Sequence, residues 1–304
     1  MIFDTHAHFD DEAYDIDREE HLTSVFASGV GRIVNVGASL KGSLASVELA
    51  ASHAGIYAAV GAHPDGVPEL DELGEEEGLK RVKELAGRDK VVAIGEIGLD
   101  YHYPDPEPEI QRKWFALQLG LARELNLPVI IHSREAAKDT LDILYASGIT
   151  AARANKSANT AETVQADNSV NPAGTVQADN SANTAETVQA DNFLNPVGVM
   201  HCFSYSPEIA AEIIRAGFYI GVGGVVTFNN AKKLIEVVRE TPLDRIVLET
   251  DCPYLTPVPF RGQRNTSAHL PLVVSKIAEI KGVSEEEVIE TTYASACRLY
   301  RLKP

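Results

Sequence analysis

Only three cysteines occur in the 304 residues, at 202, 252 and 297, and they are widely spaced with no CxxC pair. That offers no disulfide framework and fits a reducing compartment, so a cytoplasmic location is expected. No apolar run approaches the length of a membrane span. Where a secretory leader would carry a basic stretch and then an apolar one, the first residues are Asp4, His6, His8, Asp10 and Asp11. Basic charge is scarce as well: 27 lysines and arginines face 44 acidic residues, a net charge of −17. Such a surface repels nucleic acid at long range and argues against tight, non-specific binding of duplexes. It leaves room for phosphate substrates held locally by bound metals and a few arginines. What is abundant is apolar material, 44% of the chain, ample for a large core.

Short β-branched runs alternate with amphipathic stretches, the pattern of βα units and a parallel sheet. Eight strands are predicted, at 1–6, 32–38, 56–63, 91–99, 128–133, 197–203, 218–224 and 245–251. Helices fit between them at 18–28, 42–54, 75–87, 107–126, 135–147, 207–216 and 230–240. A last helix starts at a capping box, Ser284 with Glu287 three residues on. One stretch breaks the pattern. "TVQADN" recurs at 163–168, 175–180 and 187–192 within a segment almost devoid of large apolar residues. Residues 151–196 are therefore expected to be an insertion grown by tandem duplication, not a domain. Without those 46 residues the chain has 258, close to a single (β/α)8 TIM barrel, with the insertion between the fifth predicted helix and the sixth strand. An αβ connection lies on the N-terminal face of such a barrel, away from the chemistry.

The opening "FDTHAHFD" places His6 and His8 two apart on one strand, so both imidazoles face one spot. Other predicted strands end in kind: His63 on the third, Glu96 on the fourth, His132 on the fifth, His201 on the sixth and Asp251 on the eighth. A single strand-end histidine is usually a satisfied polar residue. Four histidines and two carboxylates (His6, His8, Glu96, His132, His201, Asp251) gathered at a barrel mouth point instead to divalent metal. They exceed what one tetrahedral ion needs, which favours two ions sharing Glu96, with His6, His8 and Asp251 on one and His132 and His201 on the other. Water at such a pair becomes a nucleophile near neutral pH, with Asp251 as its proton acceptor. Cys202 and Cys252, one residue beyond ligands, are expected to turn toward the helices. Asp4 either supports a ligand through a hydrogen bond or is a strand-start carboxylate in solvent. His21, His53 and His102 read as surface or packing residues, and His269 follows a loop near the site.

The stretches "FDTHAHFD", "VGAHPD", "AIGEIGLDY", "PVIIHSREA", "GVMHCFSYS", "LETDCPYL" and "PFRGQRN" resemble the TatD family of metal-dependent hydrolases, within the amidohydrolase superfamily. They span nearly the whole chain apart from the insertion. The resemblance implies a TIM barrel and hydrolysis of DNA phosphodiester bonds, typically as a 3′ to 5′ exonuclease or DNase, with metal on the six residues named above. It also implies that His63 approaches the scissile phosphate or leaving group and that Arg261 clamps a phosphate. Three departures stand out: the insertion, Thr266 and Ser267 in place of the Glu-Pro usual after "RGQRN", and "SACRLY" near the end. The second bears on how the Arg261 loop is braced.

Two further enzymatic readings share this scaffold: hydrolysis of a small amide, lactone or phosphotriester, and of a D-aminoacyl-tRNA ester. Many sister families bridge their metals with a carboxylated lysine, whereas "PVIIHS" has none and the bridge here is Glu96. A barrel without turnover, acting as a binding module through its repeats, is a third. Mixed histidine and carboxylate donors accept Mg, Mn or Zn.

Overall fold

The computed structural model describes residues 1–150 and 197–304, so the expected insertion at 151–196 lies outside the described residues. Among the described residues eight strands run parallel in sequence order. They are β1 (Ile2–Ala7), β2 (Val30–Val36), β3 (Ile56–Val60), β4 (Val91–Asp100), β5 (Val129–Arg134), β6 (Gly198–Met200), β7 (Phe218–Val222) and β8 (Ile246–Leu248). Valine and isoleucine dominate them because both faces of each strand are covered. The sheet closes on itself: Ala7 bridges to Cys252, the Asp251 N–H donates to the His6 carbonyl at 2.9 Å, and the His8 N–H to that of Cys252 at 2.8 Å.

Between the strands lie α1 (Arg18–Ala27), α2 (Leu40–Ser52), α3 (Val67–Leu73), α4 (Glu75–Ala86), α5 (Pro108–Leu125), α6 (Ala137–Ser147), α7 (Pro207–Arg215) and α8 (Lys232–Glu240). After β8 come α9 (Leu270–Lys281) and α10 (Glu285–Leu299). The Ser284 side chain accepts from the Glu287 N–H, as the capping box requires. Two helices escape the periodicity argument. α3 is short and bounded by Pro68 and Gly74, and α9 hides behind Pro271 and the β-branched pair Val273–Val274. Pro271 is tolerated because it sits in the first turn, where an N–H is spare anyway.

One apolar cluster fills the space between strands and helices, with Phe115, Leu119, Ile213 and Val237 fully buried. A second fills the barrel: Phe3, Val36, Ile130, Val199, Tyr219 and Val247 meet Ala296, Cys297, Leu299 and Tyr300 from the end of the chain. The tail thus stops the N-terminal opening, and the Tyr300 hydroxyl donates to the Thr5 carbonyl at 2.9 Å. After the undescribed stretch the chain resumes at this same end, since the Val197 carbonyl accepts from the N–H of Val129, the first residue of β5. Among the described residues no helix is long and apolar enough to cross a membrane.

Candidate metal centre

Strands β3, β6 and β8 end earlier than the sequence suggests. His63, His201 and Asp251 therefore sit just past strand ends, in the loops that rim the mouth, not on the strands themselves. Beyond the ends of β6 and β8, Cys202 and Asp251 adopt left-handed backbone, φ 44° and 56°. For residues other than glycine that costs on the order of 1–3 kcal/mol, strain typical of places where side chains must be aimed. Two glycines let the walls close in: a Cβ at Gly98 would lie 1.9 Å from the His132 carbonyl oxygen, and one at Gly221 2.1 Å from Glu249 Oε2.

Four donor atoms converge from β1 and the residue just past it, from β4 and from the loop after β8. His6 Nε2 and His8 Nε2 are 3.0 Å apart. Asp251 Oδ1 is 3.6 and 3.3 Å from them, and Glu96 Oε2 is 3.5 and 3.9 Å away. Tetrahedral ligands about 2.1 Å from one ion stand about 3.4 Å from each other, so this set has the size of a divalent site. On the other side of the same carboxylate, Glu96 Oε1 is 2.6 Å from His201 Nε2 and 2.9 Å from His132 Nδ1, with those two nitrogens 3.2 Å apart. His6 and His201 stack across the boundary, ring centroids 4.0 Å apart.

The chemistry of the donors fits a cation. The His8 Nδ1 proton is taken by the Val36 carbonyl at 2.8 Å, leaving a lone pair on Nε2 that faces the lone pairs of His6, Glu96 and Asp251. Without a metal, protons fill that role. Burial opposes a charge on His8, yet the Asp251 hydrogen bond and the Asp251 and Glu96 charges push its pKa up to about 10. Burial likewise opposes a charged His132, and Asp100 and Glu96 push it up to about 9. Burial and the neighbouring His201 hold His6 down at about 4. Glu96 stays ionised despite burial because His201, His6 and His63 surround it. Burial also works against ionised Asp251, and the His8 hydrogen bond and His201 outweigh it.

His63 borders the set edge-on to His132, ring centroids 4.4 Å apart. Its Nδ1 accepts from the Asp65 N–H at 3.2 Å, so the ring proton is on Nε2, and burial keeps the ring neutral with a pKa of about 4. Asp4 is fully buried and none of its bonds reaches an imidazole. It accepts from the His6 and Thr250 N–H groups at 3.2 and 3.1 Å and from the Thr250 and Ser267 hydroxyls at 2.6 Å, clamping the β1–β8 seam behind the ligands. Burial raises it to about 6. Ser267 thus ties the segment after the Arg261 loop to β1. Cys252 is buried as expected. Cys202 is not turned to the helices: its φ breaks strand alternation, and it lines the mouth cavity. Arg261 lies outside that cavity, its guanidinium 3.8 Å over the Phe228 ring. His269 stacks on Phe260, His53 pairs with Glu19 and His102 with Glu135.

Two carboxylates were missed. Asp100 closes β4 and contacts His132 Nε2 at 3.1 Å. It shares the parity of Glu96, a signal that was available. Glu249, two residues before Asp251, is buried with no partner for Oε2 among the described residues, and burial raises it to about 8. The cavity over the centre is about 850 Å³ and includes Arg134, Lys233 and Tyr254 in its lining.

The family model for TatD related DNase matches residues 3–301. An uncharacterized metal-dependent hydrolase of Bacillus subtilis, YabD, is 40% identical over 302 residues, covering 99% of this chain and all of that protein. The 3′-5′ ssDNA/RNA exonuclease TatD of Cronobacter sakazakii is 28% identical, covering 98% and 97% of the two chains. The crystal structure of YJJV, a TatD homolog from Escherichia coli, superposes with a TM-score of 0.79 at 27% identity, covering 99% of this chain and 98% of that one.

Proposed function

The chain belongs to the TatD family of metal-dependent hydrolases, and on that premise we propose that it cleaves phosphodiester bonds of DNA from the 3′ end with two divalent ions, Mg, Mn or Zn. The observation that carries the reading is the division of Glu96, with Oε2 turned to His6 and His8 and Oε1 to His132 and His201. Bound there, a pair of ions would supply Lewis acidity and bring a water's pKa toward neutrality. Asp251, anionic and reaching the cavity, takes the proton of the attacking water. His63, neutral with its proton on Nε2, donates to the leaving oxygen.

A single strand suits the mouth better than a duplex. Arg134 lies over the Tyr103 ring, Arg261 over Phe228, and Tyr254 and Phe260 are exposed nearby, so cations and aromatic faces alternate as in sites that stack unpaired bases. The Cronobacter relative's named activity supports this. Free thiols at all three cysteines suit the cytoplasm, where we place the chain. The test is cleavage of a 5′-labelled single-stranded oligonucleotide by metal-stripped protein with each ion restored. A ladder of products shortened one nucleotide at a time from the 3′ end, dependent on the ion and lost in His6→Ala, is expected. Two bound ions without cleavage would transfer the site to a small ester or an aminoacyl ester, which the cavity could also hold.

A further inference from the structure

We propose that Asp100 is the positioning residue for His132, deciding which ring nitrogen is left free for a cation; the inference rests on the two-ion reading above. His132 is held between carboxylates at both ring nitrogens, with Glu96 Oε1 2.9 Å from Nδ1 and Asp100 Oδ2 3.1 Å from Nε2. To take up a cation the ring must be neutral, with a single proton, and the two carboxylates then compete for it. If Glu96 wins, Nδ1 becomes a donor and the second donor set closes on itself as an internal hydrogen bond. If Asp100 wins, the Nδ1 lone pair points at Glu96 and His201, ready for a metal.

The surroundings favour Asp100. It is 4% exposed and cannot swing away. Gln111 on α5 grips its backbone from both sides, accepting from the Asp100 N–H at 2.8 Å and donating to its carbonyl at 2.9 Å. Its Oδ1 accepts from the His102 N–H at 2.9 Å, which leaves Oδ2 aimed at His132. The other rings differ. Among the described residues the outer nitrogens of His6 and His201 have no partner, and that of His8 is held by a carbonyl. Each donor set therefore contains one imidazole fixed from behind, His8 by a neutral acceptor and His132 by an anion. An anionic acceptor also raises the basicity of the nitrogen that faces the metal.

Asp100→Asn separates the roles, because with the amide oxygen kept on the His102 N–H the amide nitrogen takes the place of Oδ2 facing His132 Nε2, where it can donate but not accept. Manganese is titrated into metal-stripped wild-type and variant chains, followed by calorimetry and electron paramagnetic resonance. The wild type is expected to bind two ions with a spin-coupled signal. The variant should keep one ion at wild-type affinity, bind the other about 10- to 100-fold more weakly and lose the coupling. Unchanged affinities for both ions in a folded variant overturn the inference. So does a third ion bound among His63, Asp100 and His132, since it would need Nε2 unprotonated. If the variant does not fold, ¹⁵N spectra of zinc-loaded, histidine-labelled wild type decide: one coordinating ring with Nδ1 on the metal and a proton on Nε2 is expected, and coordination of every ring through Nε2 refutes it. A wild-type chain that takes up a single ion removes the two-ion reading itself, and this inference with it.

Discussion

At its N-terminal end the barrel is filled by Phe3, Tyr219 and Tyr300, rings that pack with few polar atoms left to satisfy. At its C-terminal mouth, His6, His8, Glu96, His132, His201 and Asp251 hold donor atoms as close as 2.6 to 3.9 Å in a buried setting. One end is built to be stable whether or not anything binds. The other concentrates ionisable groups and left-handed backbone that a fold alone has no use for, and its cost is offset by the packing below. Stability and chemistry are thus assigned to opposite ends of the same eight strands.

The sharpest way to break this division is Glu96→Ala. It should abolish two-ion binding and lower turnover on the order of 10³-fold, several kcal/mol of transition-state stabilisation, while far-UV circular dichroism still reports a barrel. Ordinary metal content with full turnover in that variant would remove the shared carboxylate from the argument. Phe3→Ala attacks the other end and should cost about 3–5 kcal/mol in denaturant unfolding, with ion stoichiometry and turnover per folded molecule unchanged. A parallel loss of metal would mean that the two ends are coupled. Arg261→Ala probes the rim: KM for a single-stranded oligonucleotide should rise about tenfold, about 1.4 kcal/mol, with kcat retained. A change confined to kcat would move Arg261 from binding strand to the reacting phosphate. The smallest effect is expected from replacing 151–196 with a short linker, which should leave kcat within about twofold because the described chain resumes beside the start of β5, at the end opposite the mouth. A large fall in rate from a folded deletion would contradict that placement.

The mouth is legible in the sequence because β-strand parity is a strict rule: His6 with His8, and one candidate donor at or just past the end of β4, β5, β6 and β8, need only the assumption of a barrel. The same rule failed wherever the backbone departs from it. Cys202 was misplaced because its φ of 44° ends alternation one residue after His201. Asp100 was passed over although it lies four residues after Glu96, in a strand whose pairing register shifts between Ile94 and Ile97. Asp4 gave no sign that its partners would be Thr250 and Ser267, contacts across nearly the whole chain that no local pattern encodes. Helix α9 was hidden because valines that favour strands in isolation are recruited to a helix by the core they bury in.

The clamp from Asp4 to Thr250 joins residues 246 apart in sequence, and the Tyr300 bond to Thr5 joins residues 295 apart. Contacts of such long range form late, because the entropy of closing the intervening chain must be met first. His6 and His8 are made some 243 residues before Asp251, so a growing chain carries these two donors long before the aspartate that joins them. An ion held by His6, His8 and Asp251 together would therefore report that the two edges of the sheet have met and the seam has shut.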